Sequence, residues 1–219
     1  MRGVFVTGSD TEVGKSVVAA ATCAALAARG ERVAAFKPVV TGLDEEPGEL
    51  GRDHELLAAA ANAGQSPEDV APYRFGPPVS PHLAAELAGV RIEPADLVKA
   101  ARAHDLVVCE GVGGLLVPIT PGYLVRDLAV DLHLPLVIAA RPGLGTINHT
   151  LLTVEAARGG GLTVAGVVMT PWPEDPTPMQ RSNRATVEQL AGVRVSALPR
   201  TTKERLAEAG ARLPVDDWL

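Results

Sequence analysis

Aromatic residues are scarce in this sequence, at 3% of the chain, and only two of its 219 residues are cysteine. The first shortage excludes a stacking platform for single-stranded nucleic acid, which needs several aromatic faces. The second excludes a disulfide framework. Cys23 and Cys109 lack CxxC spacing and read as small buried thiols in a reducing compartment. Positive charge is also short, with 20 Lys and Arg against 26 Asp and Glu, a formal net charge of −6. That balance opposes broad binding to a phosphate backbone, so no nucleic-acid partner is expected. No apolar run reaches the roughly 18 residues of a membrane span. The chain enters a strand-like run at Val4–Thr7 with no signal peptide before it. The expected setting is cytoplasmic, without a membrane partner.

What is present is a 47% hydrophobic chain rich in Ala and Val. Apolar strand-like runs recur at Gly3–Thr7, Arg32–Pro38, Asp105–Glu110, Pro135–Ala140, Leu162–Met169 and Arg194–Leu198. Helix-like stretches fall at Lys15–Arg29, with Gly30 as its C-terminal cap, and at Asp53–Asn62, Pro94–Ala103, Thr146–Arg158 and Thr177–Leu190. The alternation predicts parallel βαβ units, and strands without polar alternation predict a sheet covered on both faces. Leu43–Arg52 reads as a mobile surface loop, and the four prolines of Pro171–Pro178 read as irregular structure. With no repeat, linker or break in composition, one domain is expected over residues 1–219.

The segment Gly8-Ser9-Asp10-Thr11-Glu12-Val13-Gly14-Lys15-Ser16 follows the first strand and opens the first helix. It approximates the phosphate loop G-x-x-x-x-G-K-[ST], with Ser9 in the first glycine slot and Gly8 one position early. Gly14 lets successive N–H groups converge on phosphate oxygens, and the helix start adds unpaired donors and a positive dipole end. Lys15 supplies a point charge to the β/γ-phosphates and the Ser16 hydroxyl a ligand for Mg²⁺. Glu12, Val13, Gly14, Lys15, Ser16 and Val17 are therefore candidate nucleotide contacts. The fold class is α/β, a P-loop nucleoside-triphosphatase fold with a mostly parallel sheet and helices on both faces.

Mg²⁺ on a nucleotide takes one or two carboxylates, with phosphate oxygens and water completing its shell. Glu110 is the first candidate, because it ends an apolar run at the sheet edge where such folds bind ligands. Gly111, Val112 and Gly113 after it allow close approach to the phosphates. The bland reading of Glu110 is a capping or salt-bridged carboxylate. Asp53 is the second candidate, although taken alone it reads as a helix N-cap, and its neighbour His54 reads as solvent-exposed. Lys37 closes the second strand and would face the same crevice, where a second cation could hold an anionic acceptor; otherwise it is a surface lysine before a turn.

Together, the motifs in Gly8 to Ser16, Lys37 to Gly42, Ser80-Pro81-His82, Glu110 to Gly114 and Gly143 to His149 resemble the dethiobiotin synthetase family, from Met1 to roughly Arg200. That resemblance implies an ATP- and Mg²⁺-dependent cyclo-ligase. Its small-molecule substrates would be 7,8-diaminononanoate, CO₂ and ATP, and its intermediate a carbamic–phosphoric anhydride. It implies catalytic roles for Lys15, Lys37 and Thr11, and a metal held by Ser16, Asp53 and Glu110. Thr41 would meet the substrate's amine end. Gly145, Thr146, Ile147 and Asn148 of the other subunit would meet its carboxylate, which implies a homodimer with a cross-subunit active site.

Thr170-Pro171 stands where family members often carry Asn-Asp to read the base, and Ala197, Leu198 and Pro199 are further base-contact positions implied by the resemblance. The main rival is a partition or septum-placement type of P-loop ATPase. That type carries a lysine early in the loop, near Ser9 or Asp10, where this chain has none.

Overall fold

The computed structural model describes residues 1–219. In chain order its elements are β1 (Arg2–Gly8), α1 (Lys15–Ala28), β2 (Ala34–Phe36), β3 (Val39–Val40), α2 (Asp53–Ala60), α3 (Pro67–Val70) and β4 (Tyr73–Arg74). Then come α4 (Pro81–Leu87), α5 (Pro94–Ala101), β5 (Leu106–Gly114), β6 (Pro118–Thr120), β7 (Tyr123–Leu124), α6 (Val125–Leu132) and β8 (Leu136–Ala140). The last are α7 (Thr146–Gly159), β9 (Val164–Trp172), α8 (Pro178–Ala191), β10 (Val195–Pro199) and α9 (Leu206–Gly210).

Six strands form one sheet in the order β10-β9-β8-β1-β5-β2, and every neighbouring pair in it is parallel. The sheet is buried on both sides because successive side chains of a strand point to opposite faces. Phe5, Phe36, Val107, Cys109 and Ile138 pack into one core beneath α4 to α8. Val4, Val6, Ala35, Val108 and Val137 pack into the other, beneath α1, α2 and α9. This two-sided cover explains why the strands read as continuous apolar runs. Both cysteines are free and buried.

Strand β1 sits between β5 and β8. The chain leaves β1 for the β2 and β5 side, then crosses over to β8, β9 and β10. The carboxyl end of β1 is thus a switch point, the place where such sheets leave a crevice for ligands.

Two sequence expectations need correction. Pro171 is not in irregular structure, since β9 continues through Thr170 and Pro171 to Trp172, next to the edge strand β10. Pro178 starts α8 as its first residue, where the missing N–H costs nothing. Of the proline-rich stretch only the part between the two elements is irregular. Leu43–Arg52 carries no helix or strand, only an isolated bridge between Gly48 and Gly51.

The segment after Arg200, which carried no motif, completes a core. Leu206, Leu213, Val215 and Trp218 are buried with the residues of α1. At Gly210 an added Cβ would lie 2.0 Å from the Ala21 carbonyl oxygen and 2.9 Å from the Ala25 methyl. Only glycine lets α9 approach α1 so closely. Gly210→Ala should therefore destabilise the chain by about 1–3 kcal/mol. Gly159→Ala, in a helix with open space around it, should be neutral or stabilise by up to about 1 kcal/mol. Urea unfolding of the two variants against the parent measures the contrast, and equal midpoints would contradict the packing argument.

Candidate active site

The phosphate loop lies between β1 and α1. Gly14 caps α1 with φ 88°, in the left-handed region, and no side chain bonds to the helix's first N–H groups. Those donors are left to face an anion. A Cβ on Gly14 would meet the Thr170 Cγ2 at 2.5 Å, so the loop also needs glycine to pass the end of β9. Lys15 is the first residue of the helix and is buried; its Nζ donates to the Asp10 carbonyl oxygen at 3.0 Å. Its cationic form is disfavoured. Burial pulls the Lys15 ammonium below the usual lysine range, Glu110 opposes that pull and Lys37 adds to it.

Beside the loop stands a three-element ion cluster. Lys37, just after β2, is 4% exposed, and its Nζ donates to Asp53 Oδ2 and to Glu110 Oε1, each at 2.6 Å. Glu110, on β5, is fully buried. The Ser16 hydroxyl donates to that same Glu110 Oε1 at 2.8 Å. Burial alone would lower the Lys37 value, but the charges and hydrogen bonds of Asp53 and Glu110 outweigh it and hold the ammonium above its usual range. Asp53 is the converse case: burial pushes its carboxyl up, and Lys37 more than reverses that. For Glu110 burial pushes upward while Lys37 works against it.

Asp53 is not the N-cap of α2. Arg52 holds that position, and Asp53 is the first helical residue, where a negative charge also suits the helix dipole. His54 is not exposed. It is 5% exposed, and its Nδ1 has no hydrogen-bond partner. Glu110 stands within β5, which continues to Gly114.

Thr11, Glu12, Gly14, Lys15, Ser16, Val17, Lys37, Thr41, Asp53, Glu110, Val112 and Gly113 line one cavity of about 850 Å³. Val13 and Gly111 do not line it, and both are buried. Sequence reasoning missed part of the cavity's lining, to which Glu45, Glu49, Leu50, Val79 and Ser80 contribute. The Ser80-Pro81-His82 motif was a usable signal for that part. The Leu43–Arg52 segment is closed on itself by the Arg52 guanidinium, which donates to the carbonyls of Leu43 and Glu45.

Gly145, Thr146, Ile147 and Asn148 do not line this cavity. They open α7, where Gly145 adopts φ 87° and again no side chain caps the helix. Thr170, Pro171, Ala197, Leu198 and Pro199 are also outside it, at the ends of β9 and β10. The Leu198 side chain is packed in the core, so only its backbone could reach a base.

The residues present fit Mg²⁺. Glu110 Oε2 is a buried carboxylate oxygen without a partner, and the donors around it are hard oxygens, the preferred ligands of this ion. No group of three or more His, Cys, Asp and Glu side chains could hold a metal alone. A site of one hydroxyl and two carboxylates needs phosphate oxygens and water to complete it.

Two solved structures share the fold. The cell division ATPase MinD of Pyrococcus furiosus is 16% identical with a TM-score of 0.56, covering 99% of this chain and 98% of its own. The septum site-determining protein MinD of Pyrococcus horikoshii, complexed with Mg-ADP, is 15% identical with a TM-score of 0.52, covering 99% and 88%. At such identities the likeness carries the fold alone. A family model described as AAA domain matches residues 2–203. With the phosphate loop at the switch point of a parallel sheet, fold and site together define a P-loop nucleotide-dependent protein. The ATP-dependent dethiobiotin synthetase of Anaeromyxobacter dehalogenans is 45% identical over 194 residues, 87% of this chain and 86% of the relative. That of Bacillus subtilis is 36% identical over 197 residues, 88% and 84%. The chain belongs to the dethiobiotin synthetase family, and the septum-placement reading keeps only the shared fold.

The Gly14–Thr170 contact gives a direct test of the loop. Gly14→Ala should cost about 2–3 kcal/mol of stability, combining a left-handed backbone with a clash. Adding Thr170→Ser removes the clashing methyl and should recover part of the loss. Thermal or urea unfolding of the single and double variants decides it, and a double variant no better than the single would show that Thr170 is not the obstacle.

Proposed function

We propose that this chain makes dethiobiotin from 7,8-diaminononanoate, CO₂ and ATP, as a single P-loop domain acting in the cytoplasm on small molecules, with no nucleic-acid or membrane partner. The observation that carries the reading is the meeting of two lysines, Lys15 and Lys37, in one cavity with Ser16, Asp53 and Glu110.

One amine of the substrate takes up CO₂ as a carbamate and releases a proton. A carbamate oxygen attacks the γ-phosphorus of ATP and ADP leaves, giving a carbamic–phosphoric anhydride. The neighbouring amine attacks the carbamoyl carbon, closes the ureido ring, and releases phosphate and a proton. The protein's part is positioning and charge, which dominate phosphoryl transfer. The N–H groups at the start of α1 hold the phosphates, and Lys15 offsets their charge. Lys37 offsets the carbamate, Thr11 orients the reacting groups and Thr41 meets the free amine. Ser16, Asp53 and Glu110 would hold Mg²⁺, which when bound offsets charge on the phosphate oxygens.

The substrate's carboxylate would rest on the uncapped start of α7, at Gly145 to Asn148, of a second copy. Support for a dimer comes from an apolar groove beside the phosphate loop, lined by Leu116, Leu152 and His149. Near it Leu144 is 93% exposed. A second copy would cover these side chains.

Three measurements test the proposal. Protein incubated with the diamine, bicarbonate, MgCl₂ and ATP should yield dethiobiotin by mass, and no product would overturn the assignment. Lys15→Ala and Lys37→Ala should each lower turnover by at least about two orders of magnitude, since each removes a charge from the transferring group. A Lys37→Ala enzyme turning over near the parent rate would take Lys37 out of the chemistry. Sedimentation should give about twice the 22.7 kDa chain mass, and an active monomer would exclude the cross-subunit site.

A further inference from the structure

The residues read as metal ligands are not free in this structure: a cation of the protein's own holds them. Lys37 Nζ lies 2.6 Å from Asp53 Oδ2 and 2.6 Å from Glu110 Oε1, and Ser16 Oγ is 2.8 Å from the same Glu110 oxygen. A magnesium ion would take such oxygens at about 2.0–2.1 Å. An ammonium within hydrogen-bond distance of the same two carboxylates would then lie within a few ångströms of the metal. The pocket offers two negative charges. With both cations present it would hold three positive ones, in a place where Glu110 is wholly buried and Lys37 nearly so. At the Glu110 end water is too scarce to screen the repulsion, while Asp53, half-exposed, faces the cavity. The ammonium alone leaves the pair one negative charge in excess, a divalent cation alone balances it, and both together leave one positive charge in excess.

Two further observations support an exchange. Glu110 Oε2 has no partner while Lys37 is in place, so the ammonium leaves the oxygen set unfinished. The cavity also gives the displaced side chain somewhere to go, since Lys37 already lines its wall together with Thr11, Lys15 and Thr41, and its four-carbon stem is flexible.

We propose that Lys37 is the built-in counter-cation of the metal site. Its ammonium occupies the Asp53–Glu110 pair in the nucleotide-free protein and excludes divalent cations. It leaves that pair only when a divalent cation arrives on a polyphosphate, and is then free to meet the anion in the cavity. The inference rests on the reading of Ser16, Asp53 and Glu110 as metal ligands. It adds that the free protein does not load metal alone, and that Lys37 takes up its catalytic position because it has been displaced.

The test uses Mn²⁺ as the probe, followed by electron paramagnetic resonance, on the full chain without nucleotide. Lys37→Met keeps the stem and removes the charge. It should bind one Mn²⁺ per chain at least about tenfold more tightly than the parent, because the competing cation is gone. Adding Glu110→Gln to Lys37→Met should abolish that binding. Equal affinities of the parent and Lys37→Met would overturn the proposal. If Lys37→Met is too unstable to titrate, its unfolding temperature should rise with MgCl₂ and not with NaCl of matched ionic strength, while the parent's stays fixed; a variant that magnesium does not rescue also overturns it. The parent with ADP separates the two layers of the argument. Mn²⁺ bound with ADP and lost in Glu110→Gln, beside a Lys37→Met that gains nothing, leaves the metal site standing and removes the exchange. No Glu110-dependent Mn²⁺ binding under any condition removes both.

Discussion

Much of the site's architecture depends on burying one glutamate. A carboxylate taken out of water loses several kcal/mol of hydration, and only close, well-aligned partners recover it. Glu110 sits on an inner strand between β1 and β2 and is wholly buried. Its partners come from Lys37 after β2 and Ser16 on α1, and Asp53 on α2 shares the lysine. Four segments distant in sequence must therefore arrive together. The register of β2 on β5, with Phe36 opposite Cys109, brings Lys37 alongside Glu110. A shift of one residue in that pairing would turn Lys37 to the other face of the sheet.

The starts of α1 and α7 share one feature. Both α1 and α7 start after a left-handed glycine and lack any side-chain cap, whereas α8 has a complete capping box built by Thr177 and Gln180. A capped helix start has already used its donors. An uncapped one keeps them for a phosphate or carboxylate. Glycine at the cap position allows the turn and leaves room for the ligand. Side-chain caps are missing at α2, α4 and α5 as well, so it is the left-handed glycine, and not the bare start, that sets α1 and α7 apart.

The strands and the phosphate loop were legible in the sequence because both are local signals: apolar runs for a two-sided sheet, and a glycine-lysine-serine turn between strand and helix. Family motifs brought Lys37, Asp53 and Glu110 onto one list, but nothing local shows that the lysine bonds to both acids, since Lys37 and Glu110 are 73 residues apart. Asp53 read as a cap because aspartate favours that position; here the backbone of Arg52 supplies the turn and the carboxylate serves the lysine. His54 read as exposed between two acidic neighbours, yet it shares the buried face of α2 with Leu57, a helical spacing that outweighs the adjacent charges. Pro171 read as a breaker because proline lacks a donor, but its place at the end of β9 requires none. The tail after Arg200 carried only scattered apolar residues, and its burial under α1 is a tertiary fact with no local signature.

The distant fold relatives show which part of this structure is general. A parallel sheet with a phosphate loop at its switch point holds a nucleotide in many settings, and at 15–16% identity that is all the likeness conveys. What this chain builds onto it is an enclosure larger than a triphosphate tail needs. The cavity of about 850 Å³ runs from the phosphate loop past Lys37 to Thr41, Glu45 and Ser80, within the range of pockets that bury a whole small molecule. The cavity has room for a second small molecule beside a triphosphate, and both Lys15 and Lys37 line it. Two bound reactants held in line need no further covalent help from the protein, because fixing their geometry alone removes a large part of the barrier. The loop from Leu43 to Arg52 lines part of the cavity, and Arg52 joins that wall to the start of α2. The segment that lines this end of the cavity is thus continuous with the helix that carries Asp53, so one stretch of chain contributes both to the cavity wall and to the ion cluster.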